Sequence, residues 1–159
     1  MKTKLLPLFA LFIILFGCKD NDEVSPNAIT EGKYKYSSEG NMSWIDKTFN
    51  FVDVMEFKSD GTVTGESYTT DLGSDKILGY RGYFSGSYMV IEGKVTIAYS
   101  KSYHMGVEDV NYIPKEELIQ SQEEGYTSDY VNSEDYSQLS FICPPNAYCT
   151  FLPVYVKVN

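Results

Sequence analysis

Three cysteines, one histidine and 14 tyrosines hold most of the chemical potential of this chain of 159 residues. Cys18 ends the run Leu15-Phe16-Gly17-Cys18, and cleavage after Gly17 would leave it as residue one, its thiol free to take a diacylglycerol. If Cys18 carries lipid, Cys143 and Cys149 remain as a pair around Pro144-Pro145-Asn146-Ala147-Tyr148, a stretch whose prolines and asparagine favour a turn. A loop of that length can bring two Cα atoms within disulfide range, and the bridge would persist outside the cytoplasm. Two buried thiols, or half of a metal site, are the alternatives.

The single histidine, His104, sits in Ser102-Tyr103-His104-Met105 and has no second histidine to join it in a metal site. A serine or cysteine nucleophile would have to use it as base, and no glycine-x-serine-x-glycine stretch accompanies it. Asp71 and Asp75 bracket Gly73 and could at most hold a hard cation weakly. Glu116, Glu117, Glu123 and Glu124 read as a solvated face. No catalytic residue, metal set or cofactor is therefore expected. The tyrosines are the more informative groups, because each joins an apolar ring to a hydroxyl and suits either a core or the wall of a ligand site.

Charge narrows the partners. The chain has 13 basic and 22 acidic residues, and removal of Lys2 and Lys4 with a leader leaves a balance of −11. Nucleic-acid binding depends on phosphate neutralisation, so so acidic a chain is not expected to bind it. Attachment to anionic headgroups is equally disfavoured, and any membrane contact should rest on lipid.

The elements that must position these residues begin with Met1 to Gly17. Lys2 and Lys4 precede an apolar run from Leu5 to Phe16. About 12 residues make a helix of roughly 18 Å, well short of the about 30 Å hydrocarbon core of a bilayer, so the segment reads as a secretory leader. The acidic stretch Lys19-Asp20-Asn21-Asp22-Glu23 and the aperiodic residues up to Thr30 read as a tether. Residues 31–159 then form one domain of adequate size for a core.

Tyrosine, phenylalanine, threonine and valine favour strands. Gly32 to Ser37 alternates, with Tyr34 and Tyr36 on the core side. Val54 to Lys58, with Met55 and Phe57 on one face, turns at Ser59-Asp60-Gly61 and returns from Thr62 to Tyr68. Tyr83 to Ile91 places Phe84, Gly86, Tyr88 and Val90 together, turns at Glu92-Gly93 and returns from Lys94 with Val95, Ile97 and Tyr99 inward. Pro114 to Gln122 reads as one short helix with proline at its first position. Tyr126 to Gln138 reads as a long polar loop with at most a short strand, and strands flank the cysteine turn at Leu139 to Cys143 and Phe151 to Val158. The expected class is all-β, an antiparallel meander closing into a small barrel of about eight strands that can enclose one small ligand.

Leu15-Phe16-Gly17-Cys18 resembles the lipobox of bacterial lipoproteins, with Phe16 departing from the usual small or β-branched residue. The acidic stretch after Cys18 resembles the surface-export signal of Bacteroidetes lipoproteins. Phe57-Lys58-Ser59-Asp60-Gly61-Thr62 and Gly86-Ser87-Tyr88 resemble hairpins of the lipocalin-like domains in such lipoproteins, and Gly32-Lys33-Tyr34 falls where lipocalins carry glycine-x-tryptophan. The resemblance covers about half of residues 18–159; the long stretch after Tyr99 departs from it. It implies an outer-membrane protein, anchored through Cys18 and exposed at the cell surface, whose barrel binds a small apolar or amphipathic molecule without catalysis. Tyr34, Tyr36, Phe57, Phe84, Tyr88 and Tyr99 are the expected ligand-facing residues. The alternative is an accessory lipoprotein whose loops, Tyr103 to Gln138 above all, dock a protein or a glycan.

Overall fold

A computed structural model describes residues 25–123 and 125–158 of the chain. The leader, Cys18, the acidic stretch up to Glu23, Glu124 and Asn159 lie outside the described residues. No helix among the described residues is long and apolar enough to cross a membrane.

Nine strands follow a single helical turn, α1 (Pro26–Thr30): β1 (Gly32–Gly40), β2 (Phe49–Phe57), β3 (Thr62–Asp71), β4 (Ile77–Ile91), β5 (Lys94–His104), β6 (Ile119–Gln120), β7 (Thr127–Asn132), β8 (Gln138–Ile142) and β9 (Val154–Val158). Each of β1 to β5 pairs antiparallel with the next, β5 pairs with β7, and β7, β8 and β9 lead back to β1. The result is a closed eight-stranded barrel, the expected lipocalin-like architecture, with β6 added outside β5 at Tyr103–His104. Closure leaves only the two-residue β6 as an added edge.

The hairpins form where turn chemistry demands. Asp60 accepts hydrogen bonds from the Thr62 amide at 2.9 Å and the Thr62 hydroxyl at 2.6 Å, while Gly61 takes φ +84°. Glu92 and Gly93 both have positive φ, at 50° and 78°, as a two-residue hairpin turn of matching twist requires. The side-chain alternation also holds: Met55, Phe57, Val63, Tyr88, Val90, Val95 and Ile97 form one buried cluster with Tyr34, Tyr130 and Leu139.

Two elements differ from expectation. Pro114 to Gln122 forms no α-helix; Lys115–Glu117 makes a single 3-10 turn, and Ile119–Gln120 pairs with β5. So short a segment gains little from helical hydrogen bonds, whereas burying Leu118 and pairing with an open strand edge satisfies both its apolar and its backbone groups. The end of the supposed tether is also ordered. The turn Pro26–Thr30 seats on one end of the barrel, where buried Thr30 accepts a hydrogen bond from Asn132 Nδ2 at 3.1 Å and the Ile29 carbonyl accepts one from Lys157 Nζ at 3.2 Å.

Candidate functional site

The strand directions sort the connections into two sets. The hairpin turns near residues 58–61, 92–93 and 133–137, together with Pro26–Thr30, lie at one end. Residues 41–48, 72–76, 105–123, 125–126 and 143–153 lie at the other.

The first end is closed and filled. The Phe57 ring meets those of Tyr34 at 5.5 Å and Tyr88 at 4.9 Å, both edge to face. The Tyr88 hydroxyl donates to the carbonyls of Asn27 at 3.0 Å and Lys58 at 2.7 Å, and the Tyr34 hydroxyl donates to the Tyr136 carbonyl at 3.1 Å. Burial pushes both phenols up to about 12. Tyr34, Phe57 and Tyr88 are thus core residues with no share in the cavity.

The second end opens into a cavity of about 460 Å³. Phe84, Tyr99, Tyr126, Tyr130, Phe141 and Phe151 supply its aromatic wall. Ser67, Ser102, Ser121 and Ser128 add hydroxyls, and His104 and Glu123 sit where it meets solvent. The register explains the convergence: Gly65 faces Phe84 across β3–β4, Gly86 faces Tyr99 across β4–β5, and Tyr130 faces Phe141 across β7–β8. Any side chain at Gly65 would collide with the Phe84 ring, whose nearest carbon would lie 2.0 Å from an added Cβ. Tyr36 stands just outside the lining, packed on Phe151 at 5.5 Å and Tyr155 at 5.8 Å. Of the six residues expected to face a ligand, the structure places Phe84 and Tyr99 on the cavity, Tyr36 beside it, and the other three in the packed end.

The cavity wall is electrically neutral over its deep part. Burial raises the phenols of Tyr99 and Tyr130, and of Tyr155 packed on Tyr130 outside the lining, above their ordinary value; for Tyr155 the Asp53 carboxylate adds to that shift, and for Tyr99 hydrogen bonds with Ser128 and Tyr130 offset part of it. Arg81, the only arginine in the chain, reaches inward nearby. It is the extra residue of a bulge between Gly82 and Tyr80 opposite Ser67–Tyr68, and such a bulge re-aims a side chain. Its Nη2 donates to Asp53 Oδ1 at 2.7 Å and to the Val52 carbonyl at 3.1 Å, and the guanidinium lies 4.9 Å from the Phe51 ring centre. Its Nε is buried without a partner.

Two loops at the open end are held by devices of different legibility. Cys143 and Cys149 form the expected disulfide, with Cα atoms 6.0 Å apart, closing the loop that also delivers Phe151. Asn111 was not singled out by any motif, yet it is a buried hub. Its Oδ1 accepts from the Met42 amide at 2.6 Å, its Nδ2 donates to Asn41 Oδ1 at 3.1 Å and Ser43 Oγ at 2.5 Å, and its carbonyl accepts from Thr69 Oγ1 at 2.7 Å. It fastens the long connection after β5 to the loop after β1. That loop leaves Trp44 92% exposed, and the cysteine loop leaves Tyr148 93% exposed.

Asp71 pairs with Lys47 at 2.6 Å, while Asp75 is exposed on the same loop. No group of three or more potential metal-ligating side chains is found among the described residues. Comparison with known protein families, curated proteins and solved structures finds no match for this chain.

Proposed function

We propose that this chain is a non-catalytic lipoprotein of the lipocalin-like, Bacteroidetes type that binds a small apolar or amphipathic molecule in the open half of its barrel. The observation that carries the reading is the asymmetry of the interior: one end is closed by a buried cluster, and the other holds an open, aromatic-lined hollow of about 460 Å³ whose rings pack against that cluster. Ligand sites of roughly 300–1,000 Å³ with apolar walls and a few polar groups are typical of small-molecule binding. Apart from Glu123 and His104 at its rim, the cavity is lined by aromatic rings, hydroxyls and backbone, with no other carboxylate or basic side chain among the described residues, which favours an uncharged or weakly polar guest.

The leader and Cys18 supply the anchoring half of the proposal, with attachment at the outer membrane. The described chain enters at the closed end, where Pro26–Thr30 docks. A lipid on Cys18 would therefore set the closed end toward the bilayer and leave the mouth facing away. Native mass spectrometry of the protein purified from its own envelope should find a bound molecule of low mass whose occupancy falls in Phe151→Ala, which removes one ring of the aromatic wall. Apo protein in every preparation, together with failure to bind a neutral apolar dye such as Nile red, would overturn the reading.

A second reading, docking of a protein or glycan partner, is favoured by one observation: Trp44 and Tyr148 stand almost fully exposed on loops of the open end. Pull-down with the mature protein separates the two. A stoichiometric partner lost in Trp44→Ala and Tyr148→Ala, with no molecule in the barrel, selects docking.

A further inference from the structure

The barrel wall has a gap beside the cavity. Strand β5 pairs with β7 from Lys94 to Ala98 and with β6 at Tyr103–His104. Between these ladders two backbone hydrogen bonds frame the opening: the Tyr99 amide donates to the Tyr126 carbonyl at 3.1 Å, and the Ser121 amide donates to the Ser102 carbonyl at 2.8 Å. Ser100 is an extra residue between Tyr99 and Lys101 opposite Ser85–Gly86, a bulge that bends β5 at this point. A cleft of about 540 Å³ results, bounded on one side by β5 and on the other by Gln120, Ser121, Gln122, Glu123 and Gly125.

The cleft and the cavity differ in chemistry and share a border. Ser100, Ser102, Gln120, Ser121 and Gln122 give the cleft neutral hydrogen-bonding groups, and among the described residues Lys101 and Glu123 contribute one charge of each sign. Tyr99, Ser102, Ser121 and Glu123 line both spaces. An aromatic compartment thus runs into a hydroxyl- and amide-lined one at Tyr99. Serine and glutamine side chains both donate and accept, which matches a group bearing several hydroxyls. An anionic head would meet a chain of net charge −9 and only one lysine in the cleft.

We infer that the wall cleft is a subsite for an uncharged polyhydroxylated head group, a sugar for example, of a single-chain amphiphile whose tail occupies the aromatic cavity. This rests on the cavity being a ligand site. The pairing of two compartments selects a glycoside-headed amphiphile over a plain hydrocarbon or alcohol, because only the former satisfies the cleft's donors and acceptors while burying its chain.

The test uses octyl β-D-glucoside and 1-octanol, which share a tail and differ in head, both below micelle-forming concentration. Each is titrated against Nile red bound to the mature protein. Two or three added hydrogen bonds predict that the glucoside binds about tenfold or more tighter than the alcohol. The double variant Gln120→Ala, Gln122→Ala should abolish that difference while leaving octanol affinity and the melting temperature unchanged; both side chains are exposed, and the loss to the fold is the exposed hydrogen bond that Gln120 Oε1 accepts from the Tyr103 hydroxyl at 3.3 Å. Equal affinity of the two probes in the native protein, or an unchanged ratio in the double variant, overturns the cleft and leaves the cavity reading standing. Failure of Nile red and of both probes to bind overturns the cavity reading and the cleft with it.

Discussion

The two ends of this barrel are built from the same alternating strands and reach opposite outcomes. At the closed end, inward positions carry Tyr34, Phe57, Val63, Val90, Val95 and Leu139, and the connections are tight turns sealed by Pro26–Thr30. At the open end, inward positions alternate bulk with absence: Phe84 lies over Gly65, Tyr99 faces Gly86, and four longer connections stand around the mouth. The difference teaches that glycines shape the open half of this barrel by close approach: the Phe84 ring occupies the place of a side chain at Gly65, and the Ala98 carbonyl that of one at Gly86. Bulges fall at Leu78, Arg81 and Ser100, all toward the open end, where they re-aim the wall.

Stability should therefore be concentrated at the closed end. Phe57→Ala removes a buried ring from a packed cluster and should lower stability by about 3–5 kcal/mol in urea denaturation. Phe151→Ala, at the mouth and more than half exposed, should change it by less than about 1 kcal/mol while weakening dye binding. Equal losses would erase the proposed division.

A smaller effect is expected at Arg81. Arg81→Ala leaves Asp53 without its partner in the barrel interior, a loss of about 2 kcal/mol. That lies below the roughly 3–5 kcal/mol of a fully buried pair, because both side chains still touch solvent. Restoring stability with Asp53→Asn in the same chain would identify the stranded carboxylate as the cause. Reduction of Cys143–Cys149 should lower stability by at most about 2 kcal/mol, since the closed loop is short. Hydrogen exchange should then rise in residues 143–153 and leave β1 to β3 protected; a global rise would show that the loop supports the whole barrel.

The remaining predicted effects are pH-dependent and distinguish turn from core. Tyr34 and Tyr88 have folded-state values raised from 10 to about 12, so the stability they contribute is fully present below pH 10 and is lost as pH rises toward 12. Phenolate absorbance should show these two rings ionising near pH 12 in the folded protein. Asp135, held by Ser133 and Ser137, is depressed to about 2. Its contribution is present above its ordinary value near 3.8 and is lost as pH falls toward 2. Ser133→Ala with Ser137→Ala should raise that value toward the ordinary one, as read by carboxyl chemical shift against pH.

Much of the barrel was legible because its signals are local. Asp60-Gly61 and Glu92-Gly93 encode hairpins through turn geometry, and the period of two in Phe84 to Val90 and Val95 to Tyr99 marks the inward face. Strand β7, legible only as a short strand in a polar stretch, carries a weak signal because its inward residues are Ser128, Tyr130 and Asn132, and only the tyrosine advertises a core. The segment after Pro114 misled because proline followed by charged residues favours a helix start, while the open edge of β5 offered a better partner. Asn111 and Arg81 carried no local motif; Arg81 as the sole arginine, set among glycines and tyrosines, was the one available clue.

By itself the sequence determined an all-β class, the turn positions, the inward alternation and a cysteine pair close enough to bridge, because each depends on residues within a few positions of one another. Only the tertiary structure decided that Tyr34, Phe57 and Tyr88 fill a core while Phe84 and Tyr99 border a cavity. All five have the same inward parity, and what separates them is which strands lie opposite, a matter of pairing between residues tens of positions apart.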